Sequence, residues 1–171
     1  MTAYAALLRA VNLGKGSILP SAELKAIGEA CGFCQVKTFI ASGNLLFVSD
    51  RNESEVAVEV ASGVERYFSK PVAVLVRSAA DLAEIVSHNP FPEDPGNRVV
   101  VFFLPRIAKV EMVDAATGGG QERIALRRRE LYIAYGEGMA DSKLKLPVFR
   151  EGTGRNINSV SKMAALLADL E

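Results

Sequence analysis

The stretch Tyr4-Ala-Ala-Leu-Leu-Arg9-Ala-Val-Asn12-Leu-Gly14-Lys15-Gly16-Ser-Ile-Leu-Pro20 decides how the rest of the chain is read. Residues 4–10 are apolar nearly throughout, which predicts a central strand covered on both faces. A polar, glycine-containing loop follows over 11–19. Pro20 then opens a helix that runs to Cys31, with Ser21 as its expected cap. Arg9, Asn12 and Lys15 fall at or just past the strand's end, where open α/β sheets present ligand-binding groups. Arg9 matters most among them. A guanidinium that ends an apolar strand needs a carboxylate, a carbonyl or a ligand.

Working outward, residues 36–40 read as a strand, Ser42-Gly-Asn44 as a turn, and 45–48 as a second short strand. Asn52-Glu-Ser-Glu55 has the spacing of a capping box, and Val56, Val60, Val64 and Phe68 make one face of the helix behind it. Pro71 ends that helix, and 72–76 is β-branched, apolar strand. The order strand-helix-strand-strand-helix-strand is the ferredoxin-like split βαβ arrangement. The second half opens with Ser78, a cap for a helix over 79–87 with Asp81 three residues on. The loop His88-Asn-Pro-Phe-Pro-Glu-Asp-Pro-Gly96 carries three prolines and marks the expected boundary, near 88–97. A strand over 99–104, a helix over 110–116, Gly118-Gly-Gly120 and a hairpin of 124–127 with 131–135 follow. Residues 136–158 read as a polar linker with a short piece at 142–148. Val160, Met163, Leu166, Leu167 and Leu170 give a final amphipathic helix. The expectation is an α+β protein of two ferredoxin-like subdomains, 1–78 and 79–171, the second incomplete, sharing a core.

The chain has 171 residues, with twenty basic and twenty acidic side chains that cancel. A global electrostatic grip on nucleic acid or anionic lipid is therefore not expected, and anion recognition must come from a local cluster. No apolar run approaches the roughly 20 residues of a membrane helix, and no secretory signal pattern is visible. A cytoplasmic location is expected. Cys31-Gly-Phe-Cys34 has dithiol spacing, but it follows a helix, with Gly32 as the stop. The macrodipole there has the wrong sign for a thiolate. Two cysteines and one histidine do not close a zinc shell. The pair reads as two buried small hydrophobes, and neither metal nor cofactor is expected.

Three further polar segments resemble the first loop: Ser42-Gly-Asn44, Asp141-Ser-Lys143, and Thr153-Gly-Arg-Asn156, which leads into a helix bearing Lys162. Turns of this kind present backbone N–H groups, and a helix N-terminus adds positive potential. Were they to converge, Arg9, Lys15, Lys143, Arg155 and Lys162 would form an anion pocket with Asn12, Ser42, Asn44 and Asn156 as neutral donors. Taken one at a time, these residues also fit plain turn chemistry and solvated surface. No nucleophile elbow, Walker loop, dinucleotide fingerprint or zinc-protease helix occurs, and Gly14-Lys-Gly16 is too short for a phosphate loop. His88, before Asn-Pro in a stiff loop, reads as loop structure ahead of a general base. Arg127-Arg-Arg129 lies at the hairpin tip, where a solvated turn is the first reading and a phosphate-touching finger the second. Aromatic residues are too few for an RNA-recognition sheet.

Leu7-Leu-Arg-Ala-Val-Asn-Leu-Gly14, Ser42-Gly-Asn-Leu-Leu-Phe47, Asn89-Pro-Phe91, Glu130-Leu-Tyr132, Ser142-Lys-Leu144 and Arg155-Asn156 through Lys162 resemble, in order and spacing, domain-of-unknown-function family 1697. The resemblance spans nearly the whole chain. It implies a bacterial-type α+β protein with ferredoxin-like subdomains and no established activity. Where the family commonly has Gly-Arg before Ser-Lys, this chain has Ala140-Asp141, one cation fewer and one anion more. Its Arg-Asn-Trp is Arg155-Asn156-Ile157 here.

The functional expectation is a binding protein for a phosphorylated or other anionic ligand, a nucleotide or nucleic-acid segment. Alternatives are an enzyme acting on a small phosphorylated metabolite, with Lys143 or His88 as acid or base, and a structural role in self-association through an exposed sheet edge.

Overall fold

The first strand, β1 (Thr2–Leu8), stops before the apolar run does, because the chain turns at Ala10, whose φ is 58°. The computed structural model describes the whole chain, Met1–Glu171, in two units. The first comprises Met1–Glu84 and Lys162–Glu171, the second Ile85–Ser161. No helix is long and apolar enough to cross a membrane.

In the first unit β1 is followed by α1 (Ser21–Ala30), β2 (Cys34–Thr38), β3 (Asn44–Ser49), α2 (Glu53–Phe68) and β4 (Val74–Ser78), and then by the start of α3 (Ala79–Ser87). The sheet has the order β2-β3-β1-β4 and every pairing is antiparallel. β1 is therefore hydrogen-bonded on both sides, with Tyr4 opposite Phe47 on one flank and Ser78 on the other. Tyr4, Ala6, Leu8, Leu45, Phe47 and Val76 form one face of the sheet and pack with Leu24 of α1 and Val56, Val60 and Val64 of α2. The opposite face, with Ala5, Leu7 and Leu46, is also buried, as an apolar run without alternation requires. Phe33 stacks on Phe47 at 4.1 Å between ring centroids.

Helix starts follow side-chain chemistry. At α2 the Glu55 N–H donates to Asn52 Oδ1 at 3.0 Å, and the Asn52 N–H donates to Glu55 Oε2 at 2.8 Å, closing the capping box. At α3 the Asp81 N–H donates to Ser78 Oγ at 3.1 Å and the Ser78 N–H returns to Asp81 Oδ2 at 3.0 Å. α1 departs from expectation. Its cap is Pro20, which makes no side-chain cap bond, and Ser21 is already the first helical residue. Cys31 follows α1 as expected and is partly buried, but Cys34 is exposed on the edge strand β2 rather than buried as a small hydrophobe. Burial, then the nearby charge of Glu59, pushes the Cys31 thiol up, away from a reactive thiolate.

The second unit contains the end of α3, then β5 (Val99–Phe103), the short α4 (Val110–Asp114), β6 (Arg123–Arg127), β7 (Glu130–Ala134), a 3-10 turn at Pro147–Arg150, β8 (Thr153–Asn156) and the start of α5 (Ile157–Ala168). Its sheet is antiparallel, with the order β6-β7-β5-β8. Val100, Phe102, Leu131 and Ile133 pack with Met112, Leu146 and Val148 on one face. Val99, Val101, Phe103 and Tyr132 are buried on the other, where the Tyr132 hydroxyl donates to the Ile85 carbonyl at 2.7 Å. β8 corrects the reading of 153–156 as a turn. The segment is polar and holds a glycine, yet it pairs with β5 through its backbone, Arg155 opposite Val101. Gly152 makes that docking feasible, since a Cβ there would lie 2.0 Å from the Phe103 carbonyl oxygen.

Candidate functional site

Three loops, 9–20, 39–43 and 69–73, lie at one end of the first unit's sheet, and main-chain bonds hold them there. The Leu8 N–H donates to Gly43 O and the Arg9 N–H to Ala73 O, both at 2.9 Å. Asn12 locks the longest loop. Its backbone is left-handed, with φ 58°. Its amide nitrogen donates to Ala41 O at 2.6 Å and to Leu19 O at 3.2 Å, while its oxygen accepts the Leu19 N–H at 2.7 Å. One side chain thus closes its own loop and ties it to the neighbouring one. Gly43, at φ +81°, lets the second loop press on the first, because a Cβ there would sit 2.3 Å from Val11 Cγ2. Asn44 is fully buried as the first residue of β3, and its amide donates to Phe39 O at 2.9 Å and Ser42 Oγ at 3.0 Å. The amide nitrogens of Asn12 and Asn44 therefore build the frame of the loop cluster.

What this end offers to a ligand is positive and partly apolar. The three loops carry Arg9, Lys15 and Lys70 and no carboxylate. Arg9 is half-buried, and Lys15 and Lys70 are exposed. Leu13, Ile18 and Ile40 are exposed at 80%, 62% and 48%, an unusual amount of bare aliphatic surface for one loop cluster.

The remaining expected site residues lie elsewhere. In the second unit a cleft of about 480 Å³ is lined by Gly118-Gly119-Gly120, Tyr135, Ser142 and Lys143. The Thr117 and Lys145 backbones hold its walls together, each N–H donating to the other's carbonyl at 2.9 and 2.8 Å. The Ser142 hydroxyl donates to Glu122, and the Gly120 N–H does so at 2.6 Å. The hydroxyl, then the backbone amides, hold the Glu122 carboxyl below its ordinary range. Burial, then the charge of Glu122, pushes the Tyr135 phenol up. Glu122, Glu137 and Asp141 outnumber Lys143 around this cleft, so it does not favour an anion.

Arg155 and Asn156 do not line the cleft. Arg155 is buried in β8, where its Nη1 donates to Thr153 Oγ1 at 2.7 Å and to Gly154 O at 2.9 Å. Burial pulls its pKa down to about 10, which leaves it charged at neutral pH. The pairing register puts it on the same buried sheet face as Glu130. Asn156 accepts the Ser159 N–H at 2.9 Å and so caps α5. Lys162 is exposed on α5, in the first unit. His88 is exposed, with its Nδ1 3.1 Å from Ser87 Oγ. A further buried cation is Arg77, only 1% exposed on β4, whose Nη1 donates to Val76 O at 2.8 Å. Its sequence signal is an arginine that directly continues the apolar run 72–76.

Two consequences are measurable. Asn12→Ala removes three hydrogen bonds and leaves alanine in a left-handed conformation. It should cost about 2 kcal/mol or more in urea denaturation and make 13–19 more sensitive to protease. Wild-type stability in that variant would mean that the clamp is not formed. Ser142→Ala removes the main cause of the Glu122 depression, so carboxyl-detected NMR should show Glu122 titrating higher. A depressed carboxyl contributes stability above its unfolded pKa and loses it as pH falls through its folded one. The variant should therefore lose less stability on acidification, and an unshifted Glu122 would contradict the contact.

Among curated proteins no match is found. The chain is similar in structure to the conserved bacterial protein SP0830 from Streptococcus pneumoniae, with a TM-score of 0.79 and 22% identity, over 98% of this chain and 99% of that one. At that identity the likeness shows the fold, a mixed α+β arrangement with two four-stranded antiparallel sheets. A family model described as protein of unknown function (DUF1697) matches residues 1–132. That is well over half the chain, carries the loop cluster of the first unit, and makes this protein a member of that family.

Proposed function

We propose that this is a cytoplasmic binding protein for a phosphorylated or otherwise anionic ligand of nucleotide type, held at the loop end of the first unit. One observation carries the reading: loops 9–20, 39–43 and 69–73 bring together Arg9, Lys15 and Lys70 with no carboxylate, in a chain whose net charge is zero. Such a cluster attracts anions locally even though the whole protein does not. Arg9 suits planar, bidentate contact with phosphate or carboxylate, and Lys15 acts as a mobile point charge. Asn12, Ser42 and Asn44 keep the loops in place for them. The exposed Leu13, Ile18 and Ile40 suit an apolar part of the ligand, such as a base. Lys143, Arg155, Asn156 and Lys162 are not called on. We further read both units as ferredoxin-like, the second incomplete. The strand orders β2-β3-β1-β4 and β6-β7-β5-β8 support that reading, and the 3-10 turn at Pro147–Arg150 stands where a second helix is expected.

A thermal-shift panel of nucleotides, sugar phosphates and carboxylates tests the ligand class. A true ligand at one hundred times its Kd adds roughly 2.7 kcal/mol, a shift of several degrees for a chain of this size. Lys15 is exposed, so Lys15→Ala should keep the unliganded Tm and lose most of the shift. Silence across the panel, or a shift indifferent to Lys15→Ala and Arg9→Ala, would refute the reading.

A further inference from the structure

The second unit has its own electrostatic asymmetry, at the end of its sheet away from the glycine cleft. Phe103, the last residue of β5, pairs with Glu130 on one side and Thr153 on the other. The loop after β5, the β6–β7 turn and the 3-10 turn before β8 therefore meet here. The Leu104 N–H donates to Arg129 O at 2.9 Å and the Ala108 N–H to Arg128 O at 2.7 Å, which stitches the 104–108 segment along the hairpin turn. Arg106 reaches the third segment, its Nε and Nη2 each 2.9 Å from a Glu151 carboxylate oxygen. Beside them a cleft of about 470 Å³ is lined by the cations Arg106, Lys109 and Arg150, the carboxylates Glu111 and Glu151, and apolar Met112, Pro147 and Val148.

With Arg127, Arg128 and Arg129, six cations from three separated segments gather here against Glu111, Glu130 and Glu151. Glu130 is buried opposite Arg127, and Glu151 and Arg106 offset each other, so Lys109, Arg128, Arg129 and Arg150 stand against Glu111 and the local charge is net positive. The turn itself carries a second signal. Arg128 is the first of its two central residues and has φ 48°. Glycine is the usual residue at such a position. A non-glycine residue there gives up on the order of 1 kcal/mol. An arginine stands where a glycine would fold more easily, and it is flanked by an arginine on each side.

We propose that this end of the second unit binds the phosphodiester backbone of single-stranded nucleic acid. The Arg127–Arg129 turn and the Lys109–Arg150 rim contact successive phosphates, and the apolar floor between them receives a base or sugar. Cations lie on both the turn and the rim, and a backbone of linked phosphates offers contacts to both. A base can enter the cleft only if it is not held in a duplex stack. No aromatic ring lines the cleft, so phosphate contacts dominate and sequence preference is weak. None of this depends on the loop end of the first unit.

The test is fluorescence anisotropy of the full chain with a labelled oligothymidylate of about twelve nucleotides. Wild type should bind at low salt, with a log–log salt slope of about −2, as three neutralised phosphates give. Arg128→Gly with Arg129→Ser suits the turn while removing two cations. It should keep or raise the Tm, weaken binding about fivefold or more and bring the slope to about −0.7. Lys109→Glu should weaken binding from the rim side, so the result does not hang on the turn variant alone. Lys25→Ala, an exposed cation on α1, should leave binding unchanged. The proposal is overturned if wild type at about 100 µM shows no salt-dependent binding, if a duplex of the same length binds as tightly, or if both cation variants bind like wild type.

Discussion

The double pairing of β1 is the constraint on which the first unit depends. A strand bonded on both flanks and covered on both faces has no room for a polar side chain, and Thr2–Leu8 has none after Tyr4. Polarity is deferred to Arg9, at the moment the strand leaves the sheet. The neighbouring strands are antiparallel to β1, so β3 and β4 begin where β1 ends, and their loops collect at the same place. The burial requirement of one strand thus concentrates Arg9, Lys15 and Lys70 at one end of a sheet. Asn12 and Gly43 then turn that proximity into a defined surface, one by hydrogen bonds and the other by having no side chain to keep the loops apart.

The second unit solves a similar problem with less helix. Its sheet repeats the strand order of the first, but α4 is short and only a 3-10 turn precedes β8. Both faces are still buried, and one of them carries Arg155 and Glu130. Burying a guanidinium is costly, and desolvation pulls the Arg155 pKa down to about 10. Charge is also segregated along the sheet. Arginines gather around the β6–β7 turn, whereas carboxylates gather around the glycine cleft at the other end. A net charge of zero conceals that division.

Much of the architecture could be read from the sequence because its signals are local. Asn52 with Glu55 and Ser78 with Asp81 announce their helices within four residues, and the apolar runs of β1, β3 and β5 need no partner to be recognised. β8 was illegible for the opposite reason. Thr-Gly-Arg-Asn has turn composition, and only pairing with β5 makes it a strand. Turn composition points Arg155 to the surface, whereas it lies inside a buried face. Asn12 and Asn44 stand out in the sequence as polar residues at turns, but whether their amides face a ligand or a neighbouring loop is a tertiary fact. The basic end of the second unit was visible only as Arg127-Arg-Arg129. Arg106, Lys109 and Arg150 join it through strand topology, not through sequence proximity.

The most direct test of the central claim is a backbone amide NMR titration of the full chain with a nucleotide that raises its melting temperature. If the loop end of the first unit is the ligand site, the largest shift changes will fall on Arg9–Ser17 and Ala41–Asn44, with smaller ones near Lys70. Changes centred on other residues, with those loops undisturbed, would contradict the account.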